Sequence, residues 1–334
     1  MTAPAEQAEV WLLFGHRRGD NDQLLALGER LGRPFRIVQL GYTALSLLPP
    51  AWVGARPWAV KPTARHRLDG PEPKLVLAIT SRSVSPALYV RHRFGGRPKL
   101  VHLGHPRSDP ALFDLVITTP QYAVPDAPNV VRLPLPVTRG ISEEPTEEER
   151  DWLDRLPRPH QLLVVGGHSM WWRLSQERVA GVLKALLGRP AGSVIVVGSP
   201  RTPERVTNVL AGAAANNERV AIARGTPRYR ILLADADEIA VTADSASMIA
   251  EAVATGKPVA VVPIEQTIPG RIAYAISRAL GIAVPMRDLS KLWNRVRADR
   301  LAGTLDEPVA APRAVKPIEQ AATAINRLMG WTTR

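Results

Sequence analysis

The chain has no cysteine. Disulfides, thiolate metal sites and cysteine nucleophiles are thereby excluded, which suits a reducing cytoplasm. Long apolar runs are missing too: none reaches the roughly 18–20 residues needed to cross a bilayer. The opening MTAPAEQAEV carries acids and lacks a basic segment followed by an apolar core, so no signal peptide is expected. The expected location is cytoplasmic, with attachment to the inner face of a membrane as an extension of it. Several motifs are also absent. Without Gly-Lys-Ser/Thr or Gly-x-Gly-x-x-Gly, P-loop kinase and dehydrogenase readings fall, and no nucleophile elbow marks a hydrolase. The seven His show no His-x3-His spacing, so no metal and no required cofactor are expected. Zinc-finger spacing, an aromatic RNP-like strand and a basic zipper are lacking, so no nucleic-acid partner is expected either.

Acids are missing locally. From Ile79 to Ser108 there is none, against six cations (Arg82, Arg91, Arg93, Arg97, Lys99, Arg107) and three His, whereas Glu143 to Asp154 holds seven acids. The whole chain carries 43 Lys plus Arg against 31 Asp plus Glu, a net charge of +12. A basic face of this kind meets anionic lipid or phosphorylated substrates; arginine-rich codon usage is the plainer source of the same excess. Aromatics make up only 5% of residues, yet 8 of them are Trp. Trp52, Trp58, Trp171 and Trp172 fall in loop-like contexts, where an amphipathic ring more often serves a surface or pocket than a core.

What is present is a repeated alternation. With 334 residues, 45% of them apolar, two domains of about 150 residues each are expected. Short apolar runs at 10–14, 35–40, 74–79, 100–103, 115–118 and 130–133 read as strands. Helical patterns at 20–31 and 83–94 lie between them, the first with Asp20 as N-cap and Gly32 as its stop. The pattern restarts at 161–165 and runs through strands at 193–197, 220–223, 239–242 and 259–262. Its helices are expected at 175–187, 203–214, 246–255, 271–280 and 317–329. This spacing predicts an α/β protein of two doubly wound, Rossmann-like domains facing a central cleft. The boundaries expected are an N-terminal domain over 1–140, an acidic, Pro-bearing linker over 141–160, and a second domain over 161–312. A C-terminal helix over 313–334 is expected to pack back on the first domain. The Pro-, Leu- and Trp-rich segment 41–73 reads either as an interfacial, acceptor-binding excursion or as a compact loop.

Ligands of open parallel sheets lie beyond the carboxyl ends of the strands, so the loops there carry the candidates. Thr242-Ala-Asp-Ser-Ala-Ser-Met-Ile-Ala-Glu251 places Asp244, Ser245 and Ser247 around a helix start, where free N–H groups favour an anion such as a diphosphate. Glu251, one turn beyond Ser247, can reach a ribose diol. Gly166, Gly167, His168 and Ser169 follow the first strand of that half, and Ser199 and Arg201 another; all are candidate donor-binding residues. In the first half, His16, Asp20 and His105 are the candidate proton acceptors, with Asn21, Gln23, Ser81, Arg82 and Arg107 as candidate acceptor-binding residues. Taken singly, each also reads as a helix cap, a tight turn or a solvated loop residue.

Four stretches carry a resemblance. Gly19-Asp-Asn-Asp-Gln-Leu-Leu-Ala-Leu27, Leu103-Gly-His-Pro-Arg107, Phe113-Asp-Leu-Val-Ile-Thr-Thr-Pro-Gln-Tyr122 and Asp244-Ser-Ala-Ser-Met-Ile-Ala-Glu-Ala252 resemble the mitochondrial fission (elongated-mitochondria) family over roughly residues 9 to 330. That family is similar in turn to GT-B glycosyltransferases, whose Ser-Gly/Ala-x-x-x-x-Glu element binds the donor nucleotide and falls here on Ser245 to Glu251. This chain has Asp-Ser-Ala-Ser in place of their Gly-containing turn. The resemblance implies a GT-B fold with an acceptor domain over 1–140 and a nucleotide-sugar domain over 161–312, and a nucleotide-sugar donor, expected to be a UDP-sugar, as substrate. It implies transfer of the sugar to a lipid-linked or cell-envelope acceptor. The alternative it implies is a non-catalytic peripheral membrane or scaffold protein that kept the fold.

Overall fold

The computed structural model describes residues 8–140, 143–168, 171–189, 192–280, 287–312 and 316–332. The chain divides into two compact units: residues 1–139 with 285–287 and 316–334, and residues 140–284 with 288–315.

The first unit is built on strands β1 (Val10–Phe14), β2 (Phe35–Gln39), β3 (Leu75–Ile79), β4 (Lys99–Leu103), β5 (Leu115–Thr118) and β6 (Val130–Arg132). They form one parallel sheet in the order β2-β1-β3-β4-β5-β6. Central β1 reads VWLLF and is buried on both faces, as a parallel strand covered on both sides must be. Its alternation divides the core. Val10, Leu12 and Phe14 pack with helix α1 (Arg18–Arg30) on one face, and Trp11 and Leu13 with α2 (Val84–Arg93) and segment 60–68 on the other. The C-terminal helix α10 (Pro317–Met329) enters the α1 face through Ala321, Ala322 and Ile325. Arg30 Nε also donates to both Glu319 oxygens, at 2.8 and 2.9 Å. That pair is part-exposed and adds little beside the apolar packing. Asp20 is not the N-cap of α1: Arg17 holds that position without a side-chain cap, and Asp20 lies in the first turn. Gly32, at φ 63, follows the helix end, as its freedom to turn left-handed allows.

Segment 41–73 contains short helical turns at Ala44–Leu47, Pro50–Val53, Pro57–Ala59 and Pro62–Arg65. Val60, Ala64 and Leu68 anchor it in the core, while Leu45, Leu47, Leu48, Trp52 and Trp58 remain exposed. The segment is therefore compact, and it also presents an apolar outer face.

The second unit begins with helix α3 (Glu147–Asp154), so the acidic stretch is not bare linker. Thr146 and Glu149 form a reciprocal capping box. Glu149 also accepts from the Arg228 backbone N–H and from its Nε and Nη2, each at 2.8 Å. These bonds hold the Glu149 carboxyl well below the usual range. Then come β7 (His160–Val165), α4 (Gln176–Leu187), β8 (Ser193–Gly198), α5 (Glu204–Asn216), β9 (Val220–Ala223) and α6 (Tyr229–Asp235). They are followed by β10 (Glu238–Thr242), α7 (Ala246–Ala254), β11 (Pro258–Val262), α8 (Ile268–Leu280), α9 (Leu289–Ala298) and β12 (Val309–Ala310). The sheet order is β9-β8-β7-β10-β11-β12, parallel except for the antiparallel β12 edge. Among the described residues no helix is long and apolar enough to cross a membrane.

Candidate functional site

In each sheet the strand order reverses direction beside the first strand, and loops on either side of that reversal leave a crevice where ligands of such sheets bind. In the second unit the reversal lies between β7 and β10. The loop after β7 opens with Gly166 and Gly167, and the loop after β10 carries Asp244 and Ser245. They are locked together. Gly166 N–H donates to Thr242 Oγ1 at 2.8 Å, Thr242 donates on to Asp244 Oδ1 at 2.8 Å, and Gly167 N–H donates to Asp244 Oδ2 at 2.9 Å. All three contacts are buried, where unmet polar groups are costly.

The paired glycines are explained by this packing. A Cβ on Gly166 would lie 2.0 Å from Asp244 Oδ1, and one on Gly167 would lie 2.3 Å from the Arg201 carbonyl oxygen. Their N–H groups are thus engaged with Thr242 and Asp244. Asp244 braces the loops, and one of its oxygens also lies 3.5 Å from the exposed Arg201 guanidinium. The third loop, after β8, is tied in by Thr202, which accepts the Ser199 N–H at 2.9 Å and donates to the Gly166 carbonyl at 2.9 Å. Ser199 Oγ accepts the Arg201 N–H at 3.2 Å.

Ser245 caps α7 through a long, 3.4 Å contact from the Met248 N–H. Ser247 and Glu251 are half-buried on the same helix, and Glu251 faces the buried Tyr229 phenol. Burial, then the Glu251 charge, hold that phenol well above its ordinary ionisation range. His168 is exposed at the end of the glycine loop, and Ser169 lies outside the described residues. Trp172 is buried rather than presented to a surface: it packs edge-on against Trp293, whose indole N–H donates to the Ala243 carbonyl at 3.0 Å.

In the first unit the reversal lies between β1 and β3. A cavity of about 210 Å³ opens there; His16, Asp20, Tyr42, Ser81, Arg82 and Arg107 all line it. Burial pushes the Asp20 carboxyl up, against Arg17, Arg287 and His16, which favour its charged form. Asn21, Gln23 and His105 are not among the lining residues. Asn21 instead clamps Gly15, accepting its N–H at 2.9 Å and donating to its carbonyl at 3.0 Å. Gln23 donates to the Gly19 carbonyl at 3.3 Å. His105 Nδ1 accepts the Arg107 N–H at 2.8 Å, which leaves the neutral ring's proton on Nε2. Burial further lowers its basicity. Its geometry is that of a loop brace.

The family model for mitochondrial fission ELM1 matches residues 18–317. The chain belongs to that family. A curated relative, the mitochondrial fission protein ELM1 of Arabidopsis thaliana, is 28% identical over 239 residues, which cover 60% of this chain. The match spans about half, 53%, of that relative's length. Solved structures share the fold. S. aureus MnaA, in its co-structure with UDP, aligns over 98% of both chains at 12% identity and a TM-score of 0.52. The UDP-GlcNAc 2-epimerase of Methanocaldococcus jannaschii aligns over 95% of this chain and 99% of its own, at 12% identity and a TM-score of 0.50. The ELM1-family chain is thus an α/β protein of GT-B type.

The residues that hold these loops were only partly visible beforehand. Thr242, Thr202 and Trp293 carry no motif of their own. His102 was visible only as one of three His in the acid-free run, yet it is wholly buried in β4 and its Nε2 lies 3.1 Å from the Thr80 carbonyl. Thr80 takes an unusual φ of 69 immediately before Ser81 and Arg82. Ser83 Oγ donates to the carbonyls of Ile79 and Thr80 at 2.7 and 2.9 Å, pinning the same turn.

Proposed function

We propose that the chain binds a nucleotide sugar on its second unit. In this reading it moves the sugar to a lipid-linked or cell-envelope acceptor, as a metal-independent glycosyltransferase. The observation that carries the reading is the braced meeting of the Gly166–Gly167 and Asp244–Ser245 loops where the sheet order reverses. Beside it stand an exposed cation, Arg201, and the start of α7, both suited to a diphosphate. Glu251 lies on α7 one turn beyond Ser247 and is the group for the ribose diol. A UDP-sugar is the donor we favour, in keeping with the UDP bound by S. aureus MnaA. In the transfer, the acceptor hydroxyl oxygen bonds to the anomeric carbon as that carbon's bond to the diphosphate oxygen breaks. The hydroxyl proton passes to a base, for which Asp20 and His16 are the candidates. Burial of Asp20 raises its basicity in the direction a proton acceptor needs. Arg201 neutralises the leaving diphosphate.

The exposed Leu47, Trp52 and Trp58 of the first unit support work at the inner face of a membrane. A second reading, a non-catalytic peripheral or scaffold protein, rests on one observation. The Gly166 and Gly167 N–H groups serve Thr242 and Asp244, so the loop's own fold uses the donors a phosphate would want. A thermal-shift screen with UDP, other nucleoside diphosphates and their sugars separates the two. Ligand at 100 times its dissociation constant adds about 2.7 kcal/mol to stability. No shift with any of them at millimolar concentration would leave the scaffold reading standing.

A further inference from the structure

The first-unit cavity has features that a sugar acceptor alone does not explain. Three guanidinium groups, Arg17, Arg82 and Arg107, line it against one acid, Asp20, an excess of two positive charges even with Asp20 ionised. Among the described residues, none of the three lies within the 4.0 Å ion-pair distance of a carboxylate. Elsewhere in the first unit arginines of the basic run do find acids: Arg91 pairs with Asp114, Arg93 with Asp69 and Arg97 with Glu72. Of that run, Arg82 and Arg107 are the cations without an acid among the described residues, and both line the cavity.

Strained backbone lies at or just before two of them. Arg107 itself has φ 56, and Thr80, two residues before Arg82, has φ 69. Left-handed φ at a non-glycine residue is unfavourable and persists only where surroundings enforce it. The enforcing groups are present. His105 Nδ1 accepts the Arg107 N–H, and His102 and Ser83 hold the Thr80 carbonyl. Two histidines thus fix the turns that present two arginines to one cavity.

We propose that this cavity is a binding site for a phosphate-bearing group, with Arg17, Arg82 and Arg107 as its cationic contacts. Guanidinium forks match phosphate oxygens bidentately, and a dianionic phosphate balances the excess of two charges. The volume of about 210 Å³ is below the roughly 300–1,000 Å³ of pockets that enclose whole small molecules, so it takes a headgroup. Leu47, 61% exposed, lies at the cavity lip, with the exposed Leu48 and Trp52 in the same segment. The phosphate is either free or carried at a lipid surface. The site stands on the first unit alone and does not depend on nucleotide binding by the second.

The test uses the full chain and inorganic pyrophosphate in isothermal titration. Wild type is compared with Arg82→Gln, Arg107→Gln, Arg201→Gln at the second unit's proposed diphosphate site and, as the control, Arg97→Gln, an exposed partner of Glu72 outside the cavity. Each cavity variant is expected to weaken binding about tenfold or more, the usual effect of losing a charged hydrogen-bond partner, and Arg97→Gln to leave it unchanged. Arg82→Lys, which keeps the charge and loses the fork, is expected to fall between. The cavity arginines are surface groups, and matching melting curves establish that the variants fold. Absence of binding to wild type at millimolar pyrophosphate overturns the proposal, as does a loss confined to Arg201→Gln. A second arm uses phosphatidylcholine vesicles with and without phosphatidic acid. Capture by the phosphatidic acid vesicles that pyrophosphate reverses assigns the phosphate to a lipid. Pyrophosphate binding without such capture assigns it to a free ligand.

Discussion

Asp244 Oδ2 accepts the Gly167 N–H at 2.9 Å while Asp244 Oδ1 accepts the Thr242 hydroxyl at 2.8 Å, so one buried carboxylate ties the β10 loop to the β7 loop. Removing it strands two buried donors. Asp244→Ala is therefore expected to cost about 1–3 kcal/mol of stability. Urea unfolding with an unchanged m-value is the measurement, and a loss below about 0.5 kcal/mol, the level of an ordinary surface change, would show that the brace matters little.

Glu251 tests the donor site separately from the brace. It is half-buried on α7 and faces the Tyr229 phenol. If it holds a ribose diol, Glu251→Gln weakens nucleotide binding by roughly 1–3 kcal/mol with the melting curve of the free protein preserved. Normal nucleotide affinity together with a shifted melting curve would make Glu251 a structural partner of Tyr229 instead.

The alternation of strands and helices was legible because the apolar runs of both units, VWLLF and LVLAI among them, are buried on both faces and so uniformly hydrophobic. Helix α10 was readable to its last residue, since Pro317 starts it and Gly330, at φ 64, stops it. Strand order was not legible: β2-β1-β3-β4-β5-β6 in one sheet and β9-β8-β7-β10-β11-β12 in the other arise from long-range packing that no local pattern encodes. Helix α3 was overlooked beneath its acids, although Thr146 and Glu149 at capping-box spacing were its signal. Of the candidate site residues, those of the first unit divide by a distinction that composition hides. Arg82 and Arg107 line a cavity, whereas Asn21 and His105, equally polar, bond to the neighbouring backbone. The glycines were read as room for a phosphate because the alternative occupant of that room, the Asp244 side chain, comes from 77 residues away.

His102 sets a pH dependence. Burial lowers its pKa from the ordinary 6.5 to about 4, with the Thr80 carbonyl opposing the shift and His105 adding to it. The unfolded state therefore binds this proton more readily than the folded one. The contribution to stability is complete above pH 6.5 and is lost as pH falls through the window down to about 4. The difference corresponds to roughly 3 kcal/mol. His102→Gln keeps a donor for Thr80 and removes the titration. Unfolding free energies of the two proteins, measured across this window, should differ in slope; parallel curves would mean that His102 titrates alike in both states.

The apolar outer face of segment 41–73 makes the final prediction. Trp52 is 76% exposed and Leu47 61%, and Arg56 lies over the Trp58 ring at 4.4 Å. From Leu31 to Leu68 the chain has no acid but carries Arg33, Arg36, Arg56, Lys61, Arg65 and Arg67. Amphipathic rings suit a membrane interface, and each basic residue near an anionic surface contributes about 1 kcal/mol, an attraction that salt screens. The chain is accordingly expected to sediment with anionic vesicles at low salt and to be released as salt rises. Trp52→Ser with Leu47→Ser should weaken this binding without changing the melting curve. The comparison is helix α8, where Ile268, Ile272, Ile276 and Leu280 recur every four residues and are also exposed. If Ile272→Ser with Ile276→Ser abolishes vesicle binding while the segment 41–73 variants bind normally, the anchor is α8. Equal binding to neutral and anionic vesicles would remove the cations from the account altogether.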